Sequence, residues 1–291
     1  MTKTLARLLA HSPILARGRR LYAENAANWS IPLSKIGKLE AGLFLILDDY
    51  AKGVFPPTFS DQAAAYAAEA AYRSATGMPA EKATEIQMRK PFWDAKSTAG
   101  YLGDYVRLAN HLQSLGLNPP ARLLELGCGT GWTAEFLATT GFDVTGTSLV
   151  QEDIDDARKR IDSLRAKGLK CSLRFEAAPM ESVSEAVGPR SYYDGVFVFE
   201  ALHHAFDWRQ SLRSAQECLK PGGWLLICGE PNLVHTFSSY RIARLSNTHE
   251  IGFSRGELMH QLRDSGFADV RYLSPFMHFW TKHHWICGRK K

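Results

Sequence analysis

The stretch Leu123-Leu-Glu-Leu-Gly-Cys-Gly-Thr-Gly131 decides the fold that we expect for this chain of 291 residues. Its apolar half belongs to a predicted strand at 122–126, and a helix is predicted at 132–139 directly after it. Glycine has no Cβ, so three glycines at alternate positions let the backbone turn tightly and approach a ligand. Ligands of open α/β sheets bind at the carboxyl ends of strands, where the first N–H groups of a helix are free. We therefore predict a ligand-binding loop here.

Two phosphate-binding loops also join a strand to a helix through glycines, and neither matches this stretch. The dinucleotide pattern Gly-x-Gly-x-x-Gly needs a third glycine where this chain has Trp132, and no basic residue stands nearby to meet a pyrophosphate. A Walker loop needs Gly-Lys followed by Ser or Thr, which is also missing. Neither phosphate-binding loop therefore accounts for these glycines.

Strands and helices alternate along the chain beyond this loop. Further strands are predicted at 143–147, 172–175, 195–199, 224–228, 270–273 and 284–287, and further helices at 151–167, 181–187, 207–219 and 255–264. The strands are rich in Val, Leu and Phe, which is typical of strands covered on both faces. This alternation predicts a doubly wound, mostly parallel α/β sheet.

The sequence before Pro119-Pro120 has a helical pattern instead. Helices are predicted from an N-cap at Ser60 to a stop at Gly77, at 81–89, and at about 98–115. We therefore expect two regions: a helical cap or substrate region at 1–118 and an α/β domain at 119–291. Residues 231–253 are expected to form an irregular arm over the substrate site.

Four segments together resemble the class I S-adenosylmethionine-dependent methyltransferases. The pattern Glu-x-Gly-x-Gly-x-Gly beginning at Glu125 closely resembles their motif I, and 193–207 looks like their fourth strand and its following loop. The turn Leu219-Lys-Pro-Gly-Gly-Trp is similar to their entry into the fifth strand, and 253–267 resembles their last helix. The segments come in the family's order and cover about 120–291. The resemblance implies a seven-stranded sheet with a C-terminal antiparallel hairpin.

The resemblance also implies S-adenosyl-L-methionine as the cofactor and assigns its contacts. Glu125 would orient the methionine ammonium, and the loop would hold the amino-acid portion. The implied contacts of the amino-acid portion are Gly127, Cys128, Gly129 and Gly131, and those of the ribose are Ser148 and Leu149. Pro179 and Met180 would flank adenine, and Phe199 and Glu200 would lie beneath the sulfonium. Ser148 stands where the family usually has an acid for the ribose hydroxyls. The acid that often meets adenine falls near Pro179, with Glu181 two residues on.

Candidate catalytic residues follow the fourth predicted strand. His203 and His204 are candidate general bases because the ordinary pKa of histidine lies near neutrality, and Glu200 is a second candidate. The alternative for either histidine is a packing role. The remaining histidines match no known metal-ligand spacing, so no metal is expected.

Charge and cysteine content suggest the surroundings of the protein. The formal net charge is +5, and residues 1–40 hold seven basic and two acidic residues, so their excess equals that of the whole chain. This basic, partly amphipathic leader suits either weak contact with anionic lipid or nucleic acid, or a solvated helix face. Five scattered cysteines without Cys-x-x-Cys, no secretory signal and no apolar run of about 18 residues predict a cytoplasmic location.

The expected function is methyl transfer to a hydroxyl or amine of a small molecule such as a sugar or natural product. Residues 231–240 mix aromatic and hydrogen-bonding side chains, which suits a small acceptor. No RNA-binding module is recognisable, so nucleic acid is not an expected partner. Two alternatives stay open: a cofactor-binding or regulatory protein without turnover, and a methyltransferase acting on a macromolecule or lipid-linked glycan.

Overall fold

The computed structural model describes residues 1–27, 33–55, 61–71, 80–248, 250, 252–274 and 284–291. The chain packs as two compact units. The helical unit comprises Met1–Pro79 with Pro231–Gly252, and the sheet unit comprises Ala80–Glu230 with Phe253–Lys291.

Among the described residues, seven strands form one sheet in the sheet unit. They are β1 (Arg122–Leu126), β2 (Asp143–Ser148), β3 (Leu173–Ala177), β4 (Tyr193–Phe199), β5 (Leu219–Glu230), β6 (Phe267–Tyr272) and β7 (His284–Lys290). Their order is β3-β2-β1-β4-β5-β7-β6. The first five run parallel, whereas β7 is antiparallel to both β5 and β6. The expected doubly wound sheet and its terminal hairpin are therefore confirmed.

Twelve α-helices lie among the described residues. They are α1 (Lys3–Ala10), α2 (Ala16–Ala27), α3 (Lys35–Lys52), α4 (Gln62–Ala70), α5 (Ala80–Arg89), α6 (Ala95–Ser114), α7 (Trp132–Thr139), α8 (Gln151–Ala166), α9 (Val183–Ala186), α10 (Trp208–Cys218), α11 (Leu233–Ser246) and α12 (Arg255–Asp264). None of these helices combines the length and apolar character that crossing a membrane requires.

The centre of the sheet brings the predicted loop to its carboxyl edge. Leu123 of β1 and Phe197 of β4 are fully buried, as expected for strands covered by helices on both faces. β1 pairs with β2 on one side and with β4 on the other. The loops that follow these three strands therefore share one edge of the sheet.

Helices α5 and α6 belong to the sheet unit, so the expected boundary between residues 118 and 119 differs from the observed division at 79 and 80. Leu108 and Leu112 of α6 are fully buried in the same apolar core as Trp132 and Phe142. These leucines contribute to the core of the sheet unit even though they precede its first strand. The helical pattern alone does not show which unit a helix joins.

The expectation of an irregular arm at 231–253 is wrong for most of that segment, because Leu233–Ser246 form α11. Asn232 caps the helix by accepting from the Val234 N–H at 3.0 Å, and Asn247 ends it in the left-handed region. Threonine and several serines lower its helix propensity, and tertiary packing overrides that weak preference.

Packing against α3 holds α11 in place within the helical unit. A Cβ at Gly42 would overlap the Phe237 carbonyl oxygen, so only glycine permits this close approach of the two helices. The Tyr240 hydroxyl donates to Asp49 Oδ2 at 2.9 Å, and Arg244 Nε lies 2.8 Å from the same oxygen. An apolar core and a buried acid therefore join the two helices.

The alanine-rich helix is confirmed over Gln62–Ala70, whereas the expected cap Ser60 and stop Gly77 lie outside the described residues. Asp61 provides the N-cap, since its Oδ1 accepts from the Ala64 N–H at 2.8 Å. The helices predicted at 81–89 and about 98–115 correspond to α5 and α6.

Candidate active site

The three glycines of the loop after β1 all have positive φ, at 68°, 50° and 74°, but they serve different purposes. A Cβ at Gly127 would lie 2.6 Å from Ala201 Cβ, and one at Gly131 would lie 2.4 Å from the Phe175 ring. Packing therefore requires glycine at both positions. A Cβ at Gly129 would meet no described atom within 4 Å. Gly129 thus leaves open space on the ligand side of the loop.

A cavity of about 110 Å³ adjoins this open space. Its walls come from the motif loop, the start of α7, the end of β4, and the segment from α5 to α6. The lining residues are Gln87, Lys90, Tyr101, Glu125, Gly127, Cys128, Gly129, Thr130, Trp132, Thr133, Phe199 and Glu200. The cavity therefore lies at the carboxyl edge of the sheet, where the sequence predicts cofactor binding.

Glu125 carries a buried carboxylate at the wall of this cavity. Burial raises the pKa of Glu125 from 4.5 to about 8, although hydrogen bonds from the Thr133 side chain and the Ala134 N–H oppose the shift. Its Oε2 atom is buried and accepts no hydrogen bond from the part of the chain that the structure describes. An unsatisfied buried acceptor is costly, and an ammonium group would satisfy it. Glu125 thus fits the methionine ammonium of S-adenosylmethionine.

Arg160 of α8 ties the motif loop to the end of α5. This buried guanidinium donates from Nε to the Thr130 carbonyl at 2.6 Å, and from Nη2 to the carbonyls of Met88 and Lys90 at 3.0 and 3.3 Å. Its Nη1 pairs with Glu135 at 2.7 Å. One side chain therefore holds two walls of the cavity together.

Lys90 and Gln87 are cavity residues that sequence reasoning missed. Thr130 Oγ1 donates to the Gln87 carbonyl at 3.0 Å, and Lys90 Nζ lies 5.9 Å from the centroid of the Tyr101 ring. The lysine places a positive charge in the same cavity as Glu125. An acid and a base in one cavity match the opposite charges of an amino acid. No motif spacing signals this, because α5 lies far from the loop in sequence.

Ser148 ends β2, and an acid that sequence reasoning also missed lies beside it. Ser148 Oγ donates to Asp153 Oδ2 at 3.2 Å and accepts from the Val150 N–H at 3.4 Å. Leu149 is half-buried in the same turn. The first turn of α8 thus supplies a carboxylate next to the position where methyltransferases usually carry one on the strand.

The expected adenine contacts lie at the end of β3. Pro179 precedes the short 3₁₀ helix Met180–Ser182, and Met180 Cε lies 2.7 Å from the position of a Cβ at Gly127. Met180 therefore contacts the motif loop. Glu181 is buried, and its Oε1 accepts from the Asp207 N–H at 3.0 Å. This hydrogen bond therefore holds the backbone at the residue immediately before α10.

Phe199 is the last residue of β4 and Glu200 follows it, and both line the cavity. The Phe199 ring packs edge-on against Trp132 with centroids 5.8 Å apart. Glu200 adopts a left-handed backbone with φ at 50°, and its N–H donates to the Cys228 carbonyl at 2.9 Å. A non-glycine residue in this region is strained, and such strain is concentrated at functional sites. Cys128 of the motif loop is buried beside the same cavity.

His203 is held by a second buried acid, Glu230 at the end of β5. His203 Nδ1 lies 2.8 Å from Glu230 Oε2, and the N–H groups of Ala201 and Leu202 donate to Oε1 at 2.8 and 2.9 Å. Burial raises the pKa of Glu230, and these N–H groups oppose the shift. The contact between Nδ1 and the Glu230 carboxyl group fixes the orientation of the His203 ring.

His204 stacks on His203, with ring centroids 4.2 Å apart, and is less buried. Neither histidine is among the described residues that line the cavity. The structure thus brings Gly127, Gly129, Glu125, Phe199 and Glu200 together around one cavity. The other expected cofactor contacts are not among the described residues that line it: Gly131, Ser148, Leu149, Pro179 and Met180. The histidines lie in the loop that follows β4, and their catalytic role stays a prediction.

A family model described as a methyltransferase domain matches residues 102–272, more than half of the chain. The chain therefore belongs to the methyltransferase-domain family. The matched region includes α6, which the structure also assigns to the sheet unit.

Individual relatives are distant. The chain is 29% identical over 171 residues to an S-adenosyl-L-methionine-dependent Diels-Alderase of Talaromyces variabilis, covering 54% of this chain and 56% of that one. It is 36% identical over 106 residues to a ubiquinone biosynthesis O-methyltransferase of Bordetella avium, covering 36% of this chain and 40% of that one. The chain thus spans about half the length of these curated relatives.

Solved structures share the fold at low sequence identity. Magnesium protoporphyrin IX methyltransferase from Synechocystis PCC 6803 with bound SAH superposes with a TM-score of 0.57 at 15% identity. The match covers 77% of this chain and 98% of that one. The methyltransferase fold is therefore shared across most of both chains.

Proposed function

We propose that this protein transfers the methyl group of S-adenosylmethionine to a hydroxyl group of a small molecule. The observation that carries the proposal is the cavity beside Gly129, where a buried Glu125 oxygen lacks a hydrogen-bond donor among the described residues. The charges of Glu125 and Lys90 suit the methionine ammonium and carboxylate, respectively.

The residues around the cavity would position the cofactor and exclude water. S-adenosylmethionine, when bound, supplies an electrophilic methyl group on its sulfonium. Glu125 and Lys90 would fix the amino-acid end, and Asp153 beside Ser148 would take the place of the usual ribose acid. Trp132 and Phe199 keep this end of the cavity apolar. Alignment of the reacting groups supplies much of the acceleration in such a displacement.

We assign His203 as the general base that removes the hydroxyl proton. Glu230 orients the ring through its contact with Nδ1, and the ordinary pKa of histidine near neutrality suits a general base. This acid-to-histidine arrangement resembles the orienting pair of other general-base sites. His204 and Glu200 are the alternative bases.

The acceptor is proposed to be a hydroxylated small molecule, because the Bordetella relative is named as an O-methyltransferase. The expectation that residues 1–118 and the segment 231–253 contribute to acceptor selection stays a prediction. Nucleic acid is not a proposed partner. The five cysteines are unpaired thiols, which supports a reducing, cytoplasmic location as part of the proposal.

Calorimetric titration and a product screen test the proposal. S-adenosylmethionine and S-adenosylhomocysteine should bind with one-to-one stoichiometry, and NADH should not bind. Incubation with pools of phenols, catechols and sugars should yield a product heavier by one methylene. Failure of both cofactor forms to bind would reject the proposed cofactor site. Binding without any methylated product would reject the acceptor class.

A second candidate is a cofactor-binding protein that does not transfer the methyl group. The Talaromyces relative is named as a Diels-Alderase, and a cycloaddition consumes no methyl donor. The two candidates differ in one observable, because only methyl transfer converts the cofactor to S-adenosylhomocysteine.

A further inference from the structure

The first helix of the helical unit packs through its smallest side chains and exposes its largest. Ala6 and Ala10 of α1 are fully buried, whereas Leu5 is 48% and Leu8 is 67% exposed. Leu9 is 37% exposed on the same side. A helix that merely covers its own protein places its leucines inward. This helix therefore presents an apolar surface outward.

The exposed leucines form one continuous stripe. At about 100° per residue, Leu5, Leu8 and Leu9 fall within an arc of about 100°, next to the buried alanine face. The 3₁₀ turn Pro13–Leu15 follows, and its Ile14 is 84% exposed while Leu15 is buried. Four large apolar side chains thus face outward within a few residues of sequence, which marks an interaction site.

Basic residues accompany this stripe in the sequence. The first 23 residues contain five basic residues and no acidic one, since Glu24 is the first acid in the chain. Arg7 occupies the face of α1 away from the leucines, and Arg17 and Arg20 follow in α2, both exposed. Arg17 Nη1 lies 3.2 Å from Glu40 Oε1, and Arg20 Nε lies 3.7 Å from Glu24 Oε1. Ion pairs on such exposed side chains are weak. The segment therefore has a strongly positive field beside an apolar stripe.

We infer that α1 and the Pro13–Leu15 turn bind an anionic lipid surface, with Leu5, Leu8 and Ile14 inserting at the headgroup boundary. A short amphipathic helix with basic flanks binds membranes by apolar burial together with attraction to anionic lipids. A second copy of the chain fits less well, because two such basic segments would repel each other. The inference does not depend on the proposed function, since lipid binding needs neither cofactor nor acceptor.

Vesicle co-sedimentation of the full chain tests this inference. The wild type should bind vesicles of phosphatidylcholine mixed with phosphatidylglycerol at least about tenfold more tightly than vesicles of phosphatidylcholine alone. Binding should weaken at about 0.5 M salt, where charges are screened. The triple variant Leu5→Ser, Leu8→Ser, Ile14→Ser should lose at least about tenfold in affinity for the anionic vesicles.

A matched control separates the stripe from apolar exposure in general. Val106→Ser in α6 and Leu169→Ser remove side chains that are 55% and 42% exposed, and both should bind like the wild type. Equal binding of wild type and triple variant would overturn the inference, as would no preference for anionic vesicles. A dimer in light scattering that the triple variant abolishes, without vesicle binding, would also overturn it and assign the stripe to a second copy. Unchanged thermal unfolding would show that the variants fold.

Discussion

The Glu125 carboxyl group is protonated in the free protein, and cofactor binding should release this proton. Its pKa is raised from 4.5 to about 8 by burial, so the free protein is mostly protonated at this residue near pH 7. Pairing with an ammonium requires the ionised form. We therefore expect affinity for S-adenosylmethionine to rise between pH 6 and 7.5 by up to about tenfold per pH unit. Calorimetric titration across that range should show this slope in the wild type and none in Glu125→Gln.

The same shift predicts a stability effect of opposite sign. Between pH 4.5 and about 8 the folded state keeps this proton while the unfolded chain releases it. The free energy of unfolding therefore begins to fall as pH rises above 4.5, and the loss is complete above about 8. Without ligand, the free energy of unfolding should therefore fall less between pH 5 and 8 in Glu125→Gln than in the wild type, as measured by urea unfolding. A parallel pH dependence of the two proteins would contradict the burial of an ionisable carboxyl.

Gly129 tests whether open space in the loop belongs to the ligand. Gly129→Ala and Gly168→Ala share a positive φ, at 50° and 75°, and no described atom lies within 4 Å of either new Cβ. Both should lower the free energy of unfolding by about 1 kcal/mol, because alanine disfavours this backbone region. Only Gly129→Ala should lose the rise in melting temperature that S-adenosylmethionine gives the wild type. If S-adenosylmethionine raised the melting temperature of both variants equally, the cofactor would bind elsewhere.

His203 and His204 should respond differently to substitution. Glu230 contacts the His203 ring, so His203→Ala should lower kcat by about a hundredfold or more and leave the cofactor Kd nearly unchanged. An acidic limb of the pH–rate profile that comes from this base should vanish in the variant. His204→Ala, the neighbouring control, should keep both the rate and the limb. The reverse result would assign the base to His204.

At the scale of elements, Arg160 of α8 supports two walls of the cavity at once. Arg160→Lys keeps the charge but cannot span the three carbonyl oxygens that the guanidinium reaches. We expect at least about tenfold weaker cofactor binding, because the segment at 87–90 is no longer held beside the loop. Arg158→Lys, an exposed exchange on the same helix, should bind like the wild type. Equal affinities for the two variants would contradict this support role.

Elements with strong local signals could be predicted from the sequence, and those set by tertiary contacts could not. The strand, glycine loop and helix over 122–139 match the structure because apolar periodicity and glycine spacing are local properties. Helix α11 was missed because its stability comes from α3, across a long sequence separation. Three further site residues were missed for the same reason: Lys90 in the cavity wall, Asp153 beside Ser148, and Glu230, which orients His203. Each joins the site through the fold rather than through a motif.

At the scale of the whole molecule, the cavity lies within the sheet unit, and the family match covers most of that unit together with Pro231–Gly252 of the helical unit. The methyltransferase-domain match at 102–272 ends within β6, at Tyr272, and includes every residue that lines the cavity apart from Gln87, Lys90 and Tyr101. The helical unit instead carries the basic leader and the exposed stripe of α1. The cavity and the exposed stripe of α1 thus lie in different units.

Methyl transfer itself is the central claim, and the stoichiometry of cofactor consumption tests it most directly. S-adenosylmethionine with a labelled methyl group is incubated with the full chain and a hydroxylated acceptor, and labelled product and S-adenosylhomocysteine are quantified together. We predict one labelled product for each S-adenosylhomocysteine formed, with both absent in Gly129→Ala. Acceptor conversion without S-adenosylhomocysteine, in a protein that still binds the cofactor, would contradict methyl transfer.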